Sequence, residues 1–188
     1  MKFDIQSMAI PEVKLITPRR FGDSRGFFSE THSELALSEA GISIRFVQDN
    51  HSFSEAPFVL RGLHFQVPPL SQTKLVRVTR GRIFDVAVDL RKGSPTYGRW
   101  VGAEVSADNW RQILVPRGFA HGLLTLEPRT EVLYKVDGYY DAEADAGVIW
   151  NDPEIGVDWP LEGFPQLSAK DATLPRLADF PSPFLHEG

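Results

Sequence analysis

The segment Leu60-Arg61-Gly62-Leu63-His64-Phe65-Gln66 holds an imidazole where it could move a proton. Read as a strand, it puts Leu60, His64 and Gln66 on one side and Arg61, Leu63 and Phe65 on the other, so His64 sits between an apolar neighbour and an amide. Histidine is the side chain that exchanges a proton near neutral pH, and its neutral form suits a general base. Lys74 begins the next alternating run, Arg61 lies three residues away on the opposite face, and Gly62 lets a second backbone or a ligand approach closely. A hydrogen-bonded core histidine would satisfy the same pattern.

Short alternating runs must position these groups. Fifteen Gly and 14 Pro punctuate the 188 residues, and the runs between them have a period of two. Strands are predicted at 13–17, 26–30, 46–53, 59–66, 74–80, 82–90, 100–106, 112–115, 122–127 and 131–140, a number that suits an all-β double-sheet jelly roll. In the run 82–90, Phe84, Val86 and Val88 share the face expected to pack, and Asp85, Ala87 and Asp89 the face expected not to. One short helix is predicted at 34–40, capped by Ser33 and stopped by Gly41. From Trp159 onward the alternation fails and five Pro appear, which predicts a wrap over the sheets. A single domain follows, with a core at about 45–140, an N-terminal region 1–44 and a C-terminal wrap 159–188.

Composition removes several function classes. Twenty Lys and Arg against 25 Asp and Glu give a formal charge of −5, so no basic field exists for nucleic acid and an anionic ligand needs a local cationic pocket. Zero Cys excludes thiolate metal sites and a cysteine nucleophile, and fits a reducing, cytoplasmic setting. No apolar run approaches the ~18 residues of a membrane span, and polar residues interrupt the first sixteen positions, so neither a membrane anchor nor a signal peptide is expected.

Pro116-Arg117-Gly118-Phe119-Ala120-His121 has the P-x-G-x-x-H form of the second cupin half-motif. The first half-motif of metal-binding cupins is H-x-H followed by Glu, whereas here His64-Phe65-Gln66 carries an amide and Val67-Pro68-Pro69-Leu70 no carboxylate. Two imidazoles and a Gln are a poor site for zinc or iron, so no metal and no other cofactor is expected.

With Phe46-Val47-Gln48-Asp49-Asn50-His51-Ser52, Lys74-Leu75-Val76-Arg77-Val78, Phe84-Asp85-Val86-Ala87-Val88-Asp89-Leu90-Arg91, Gly118-Phe119-Ala120-His121-Gly122 and Trp150-Asn151-Asp152-Pro153, these segments resemble the dTDP-4-dehydrorhamnose 3,5-epimerase family in order through residues 10–175. The resemblance implies a cupin-type jelly roll that works as a metal-free homodimer. Its substrate would be dTDP-4-dehydro-6-deoxy-D-glucose, whose C4 ketone acidifies the hydrogens at C3 and C5. By resemblance His64 is the base, Tyr134 the acid on the opposite face, Lys74 the cation beside the enolate oxygen, and Asp171 the carboxylate that fixes the histidine tautomer. Arg25, Arg61 and Lys170 match positions contacting the nucleotide-sugar, with Arg25 and Glu30 from the neighbouring subunit. Phe27 is assigned the aromatic surface for thymine, Gln48 and Asn50 hydrogen bonds to base, ribose or sugar, and His121 a sugar contact.

Each residue has a plainer reading. Tyr134, between Val132 and Val136, equally packs as a strand tyrosine; Lys74 is as readily solvated; Asp171 as readily caps the turn before Pro175. The sequence departs from the family in two places. His64-Phe65-Gln66 stands where His-Tyr-Gln is common, and either Glu143 or Asp145 takes the acidic position after the paired tyrosines, with Asp145 favoured. A single-carbon epimerase, a metal-dependent cupin enzyme and a non-catalytic nucleotide-sugar binding module are the alternatives.

Overall fold

The computed structural model describes residues 2–186. Its strands are β1 (Phe3–Ser7), β2 (Lys14–Pro18), β3 (Phe21–Asp23), β4 (Gly26–Phe28), β5 (Gln48–Ser54), β6 (Leu60–Gln66), β7 (Lys74–Arg80), β8 (Arg82–Asp89), β9 (Trp100–Ser106), β10 (Gln112–Val115), β11 (Phe119–Thr125), β12 (Thr130–Val136) and β13 (Asp145–Gly147), with α1 at Glu34–Glu39. One sheet has the order β1-β2-β10-β7-β12-β5 and the other β13-β6-β11-β8-β9, while β3 and β4 form a separate ribbon. Pairing is antiparallel throughout these sheets.

Alternation explains the layers. Val76 and Val78 of β7, Ile83 and Ala87 of β8, Val105, Ile113 and Val132 fill the space between the two sheets. Leu60, Leu63, Phe65, Val86 and Val88 point away from that space and are covered by Val148, Ile155, Trp159, Leu177 and Phe184, so the proline-rich tail wraps the five-stranded sheet as its loss of period predicts. Leu37 of α1 and Ile42 cover Ile16, Leu75 and Leu114 on the back of the six-stranded sheet. The helix begins where expected, the Ser33 hydroxyl accepting a hydrogen bond from the Ala36 amide at 3.3 Å.

Two faces differ from the sequence expectation. Alternation predicts the unpacked face of the strand for Asp85, Ala87 and Asp89, yet all three have 0% exposure because that face looks into the barrel. β8 lies between β11 and β9 and is covered on both sides. The second correction concerns Arg61. Alternation puts it opposite His64, but His64 pairs with His121 and Arg61 with Leu123, so Gly62 and Leu63 of β6 together face Gly122 of β11. This bulge turns Arg61 to the side of His64 and leaves Leu60, Leu63 and Phe65 together in the outer core. Gly62 sits at the bulge with φ +134°, and a Cβ there would lie 2.6 Å from the Gly122 Cα, a closeness that admits only glycine.

Candidate active site

The two sheets enclose a cavity with two lobes of about 250 and 320 Å³, and His64, Lys74, Tyr134 and Asp145 line both. His64 comes from β6 in the five-stranded sheet, and Tyr134 and Lys74 from β12 and β7 in the six-stranded sheet. Base and acid candidates therefore stand on opposite walls.

His64 Nε2 and Asp171 Oδ1 are 2.5 Å apart. The carboxylate accepts the Nε2 proton, which assigns the lone pair to Nδ1. Asp171 is 3% exposed and opens a short 3-10 turn in the C-terminal wrap, where its amide donates to the Ser168 hydroxyl at 3.0 Å. Burial alone would raise its pKa, but hydrogen bonds from His64, Ser168 and the Gly62 amide outweigh burial and hold it below the usual carboxylate range.

Lys74 is largely enclosed, and its ammonium donates to the His64 carbonyl oxygen at 3.4 Å. Burial lowers its pKa to about 8 against the opposing pull of Asp85 and Asp145. Burial also raises the Tyr134 phenol, with Arg61 opposing and Asp145 and Tyr140 adding, so Tyr134 is a protonated donor at neutral pH.

Gln48 and Asn50 line the smaller lobe and are joined by a 2.9 Å hydrogen bond. Arg61, His121 and Lys170 line the larger. Asp145, rather than Glu143, faces the cavity; it accepts from Lys170 Nζ at 2.5 Å and from the Tyr140 hydroxyl at 3.2 Å.

Arg25, Phe27 and Glu30 lie outside the lining of their own chain's cavity. Arg25 pairs with Asp23 at 2.6 Å and Glu30 with Lys2 at 2.9 Å. Phe27 does not supply the aromatic surface from within its own chain, because its ribbon packs it edge-on against Trp110, ring centroids 4.9 Å apart. The exposed ring at the cavity is Tyr140, the second of the paired tyrosines. The period of two continued from Tyr134 through 136 and 138 reaches it. Ser52, Gln66, Gln72, Ser168 and Asp85 were also missed: the first four line the cavity or brace it, and the last binds His121.

Proton transfer at a carbon beside a carbonyl, with base and acid facing each other across the substrate, is the chemistry of an epimerase, and the frame that carries it here is a cupin-type jelly roll. A family model described as dTDP-4-dehydrorhamnose 3,5-epimerase matches residues 7–179. The dTDP-4-dehydrorhamnose 3,5-epimerase of Sinorhizobium fredii strain NGR234 is 52% identical over 179 residues, 95% of this chain and 92% of that one. Among solved structures, the Bacillus anthracis dTDP-4-dehydrorhamnose 3,5-epimerase with TDP and PPi bound superposes at a TM-score of 0.90 with 51% identity, covering 93% of this chain and 99% of that one. The Legionella pneumophila dTDP-6-deoxy-D-glucose-3,5-epimerase in complex with dTDP-4-keto-L-rhamnose gives 0.91 and 45%, covering 95% and 94%. The chain belongs to the dTDP-4-dehydrorhamnose 3,5-epimerase family.

Proposed function

We propose that the protein inverts C3 and C5 of dTDP-4-dehydro-6-deoxy-D-glucose to give dTDP-4-dehydro-L-rhamnose. The observation that carries this reading is the placement of His64 and Tyr134 on opposing sheets of one cavity that Lys74 also lines. His64 Nδ1 takes the proton from a carbon beside the ketone, and Asp171 stabilises the imidazolium that results. Electron density moves onto the C4 oxygen, where the Lys74 ammonium meets the developing negative charge. Tyr134 then delivers a proton to the opposite face of the same carbon, and the centre is inverted. Repeating the sequence at the second carbon requires His64 to lose its proton and Tyr134 to regain one.

Arg61 and Lys170 supply the local positive charge that a diphosphate needs in an acidic protein. Gln48, Asn50 and Asp145 supply hydrogen bonds, and the exposed ring of Tyr140 offers a stacking surface for the base. Arg25, in the turn of the ribbon that exposes Phe21 and Phe28, and Glu30 just beyond that ribbon lie outside their own cavity, which supports the reading that they complete a partner's site in a cytoplasmic homodimer.

Proton NMR of the substrate in deuterium oxide tests the reading. Loss of both the C3 and C5 signals against an enzyme-free control is expected. Loss of one signal would establish a single-carbon epimerase, and loss of neither, with ligand bound, would overturn catalysis on this substrate.

A further inference from the structure

We propose that Asp85 is a positioning residue of this site, holding the His121 imidazole in the cavity wall and placing a negative charge behind the lobe that Lys74 lines. The proposal rests on the roles of Lys74 and His64 given above. Asp85 has 0% exposure and lies on the inner face of β8 between Ile83 and Ala87, both members of the core between the sheets. A carboxylate there is expensive to desolvate, and nothing in the packing of the strand calls for one.

Asp89, four residues along the same face and equally buried, shows what a structural carboxylate looks like here. It accepts from Arg91, Ser94 and Thr96 and staples the following loop. Asp85 makes no such staple. Among the described residues its side-chain hydrogen bonds go to His121 Nε2 alone, at 3.0 and 2.9 Å from its two oxygens, and His121 lines the cavity. His121 stands directly opposite His64 in the ladder between β11 and β6, so one wall carries two imidazole–carboxylate pairs side by side.

The charge of Asp85 also reaches Lys74. The titratable groups that line the cavity with that ammonium are His64 with Asp171, His121 with Asp85 behind it, Tyr134, Tyr140, Asp145, Arg61 and Lys170. Asp145 is already shared by Lys170 and Tyr140. Burial brings Lys74 down to about 8, and Asp85 is the foremost charge resisting that fall. The ammonium form is lost as pH rises through this value, so the carboxylate sets where the basic limb of the activity profile lies.

The test is the pH profile of C3 and C5 inversion, followed by NMR, for wild type, Asp85→Asn and His121→Gln, with KM and melting temperature measured alongside. Asp85→Asn should move the basic limb about one pH unit lower, which lowers the rate near pH 8 about fivefold and changes KM little. His121→Gln keeps the carboxylate and should lower the rate at every pH with the limb in place. A folded Asp85→Asn protein whose limb does not move overturns the proposal, as does a His121→Gln limb that falls as far as that of Asp85→Asn. Should Asp85→Asn fail to fold, a His121→Gln limb that falls by about one pH unit overturns the proposal and one that stays in place supports it. An inactive wild type would overturn the assigned function and this role together, whereas an active wild type with an unmoved limb would overturn the role of Asp85 alone.

Discussion

Replacing Asp171 by Asn isolates what the carboxylate does for His64. Asp171 is 3% exposed and its oxygen lies 2.5 Å from His64 Nε2, so the substitution keeps volume and packing while removing a charge and an acceptor. An amide facing Nε2 with its NH2 group donates instead of accepting, which drives the imidazole proton to Nδ1 and blocks the atom that takes the substrate proton. Even with the amide turned the other way, the imidazolium formed in the transition state loses its counter-charge. General-base catalysis is worth about 10²–10⁴ in rate, so kcat should fall by about that factor, or about 3–5 kcal/mol of barrier. KM should stay close to wild type, because Asp171 acts on His64 and not on the substrate. Deuterium wash-in at C3 and C5 measures the rate, and circular dichroism checks that the variant folds. A folded Asp171→Asn protein retaining more than about a tenth of kcat, or losing activity wholly through KM, would refute the reasoning.

Tyr134→Phe should separate abstraction from inversion: His64 still exchanges the C–H proton with solvent on its own face, while inverted product falls about 100-fold or more, and equal loss of both by NMR would show that Tyr134 does more than donate. Asp89 is held down to about 2 by hydrogen bonds from Arg91, Ser94 and Thr96 that outweigh burial. A depressed folded pKa stabilises above the unfolded value of about 3.9 and loses its effect as pH falls toward 2, so Asp89→Asn should cost about 2 kcal/mol at pH 7 and little at pH 2. Urea midpoints at the two pH values check this, and an equal loss at both would contradict it. Gly62→Ala forces a Cβ to within 2.6 Å of Gly122 Cα and 2.9 Å of the His121 carbonyl oxygen. It should cost about 2–3 kcal/mol in thermal unfolding and disturb the common facing of Arg61 and His64, with activity and melting temperature falling together.

Much of the architecture is local and therefore readable. The alternation through Lys74–Arg80, Arg82–Asp89 and Trp100–Ser106 matches the observed strands because a period of two is imposed by the pleat wherever one side meets a core. Strands at Phe3–Ser7, Phe21–Asp23 and Asp145–Gly147 escaped notice, since they are short, partly polar and held by pairing with a neighbour. His64 stands out by type and spacing with Lys74 opening the next run, whereas the roles of Lys74, Tyr134 and Asp171 come through the family resemblance.

Sequence by itself determined which residues could exchange protons, that they would sit on short strands, and that the proline-rich end would wrap instead of pairing. Tertiary structure alone decided which faces and which partners they have. Asp171 is 107 positions from His64, and only the wrap closing over β6 makes them a pair. Arg61 joins His64 because β6 carries one extra residue against β11, and a bulge reverses facing without altering composition. Asp85 and Asp89 have the same alternation and the same burial, yet one staples a loop and the other holds His121 in the cavity wall. The physical reason is that a period of two specifies a side of the strand, whereas the solvent, charge and hydrogen-bond partners met on that side come from the opposing sheet.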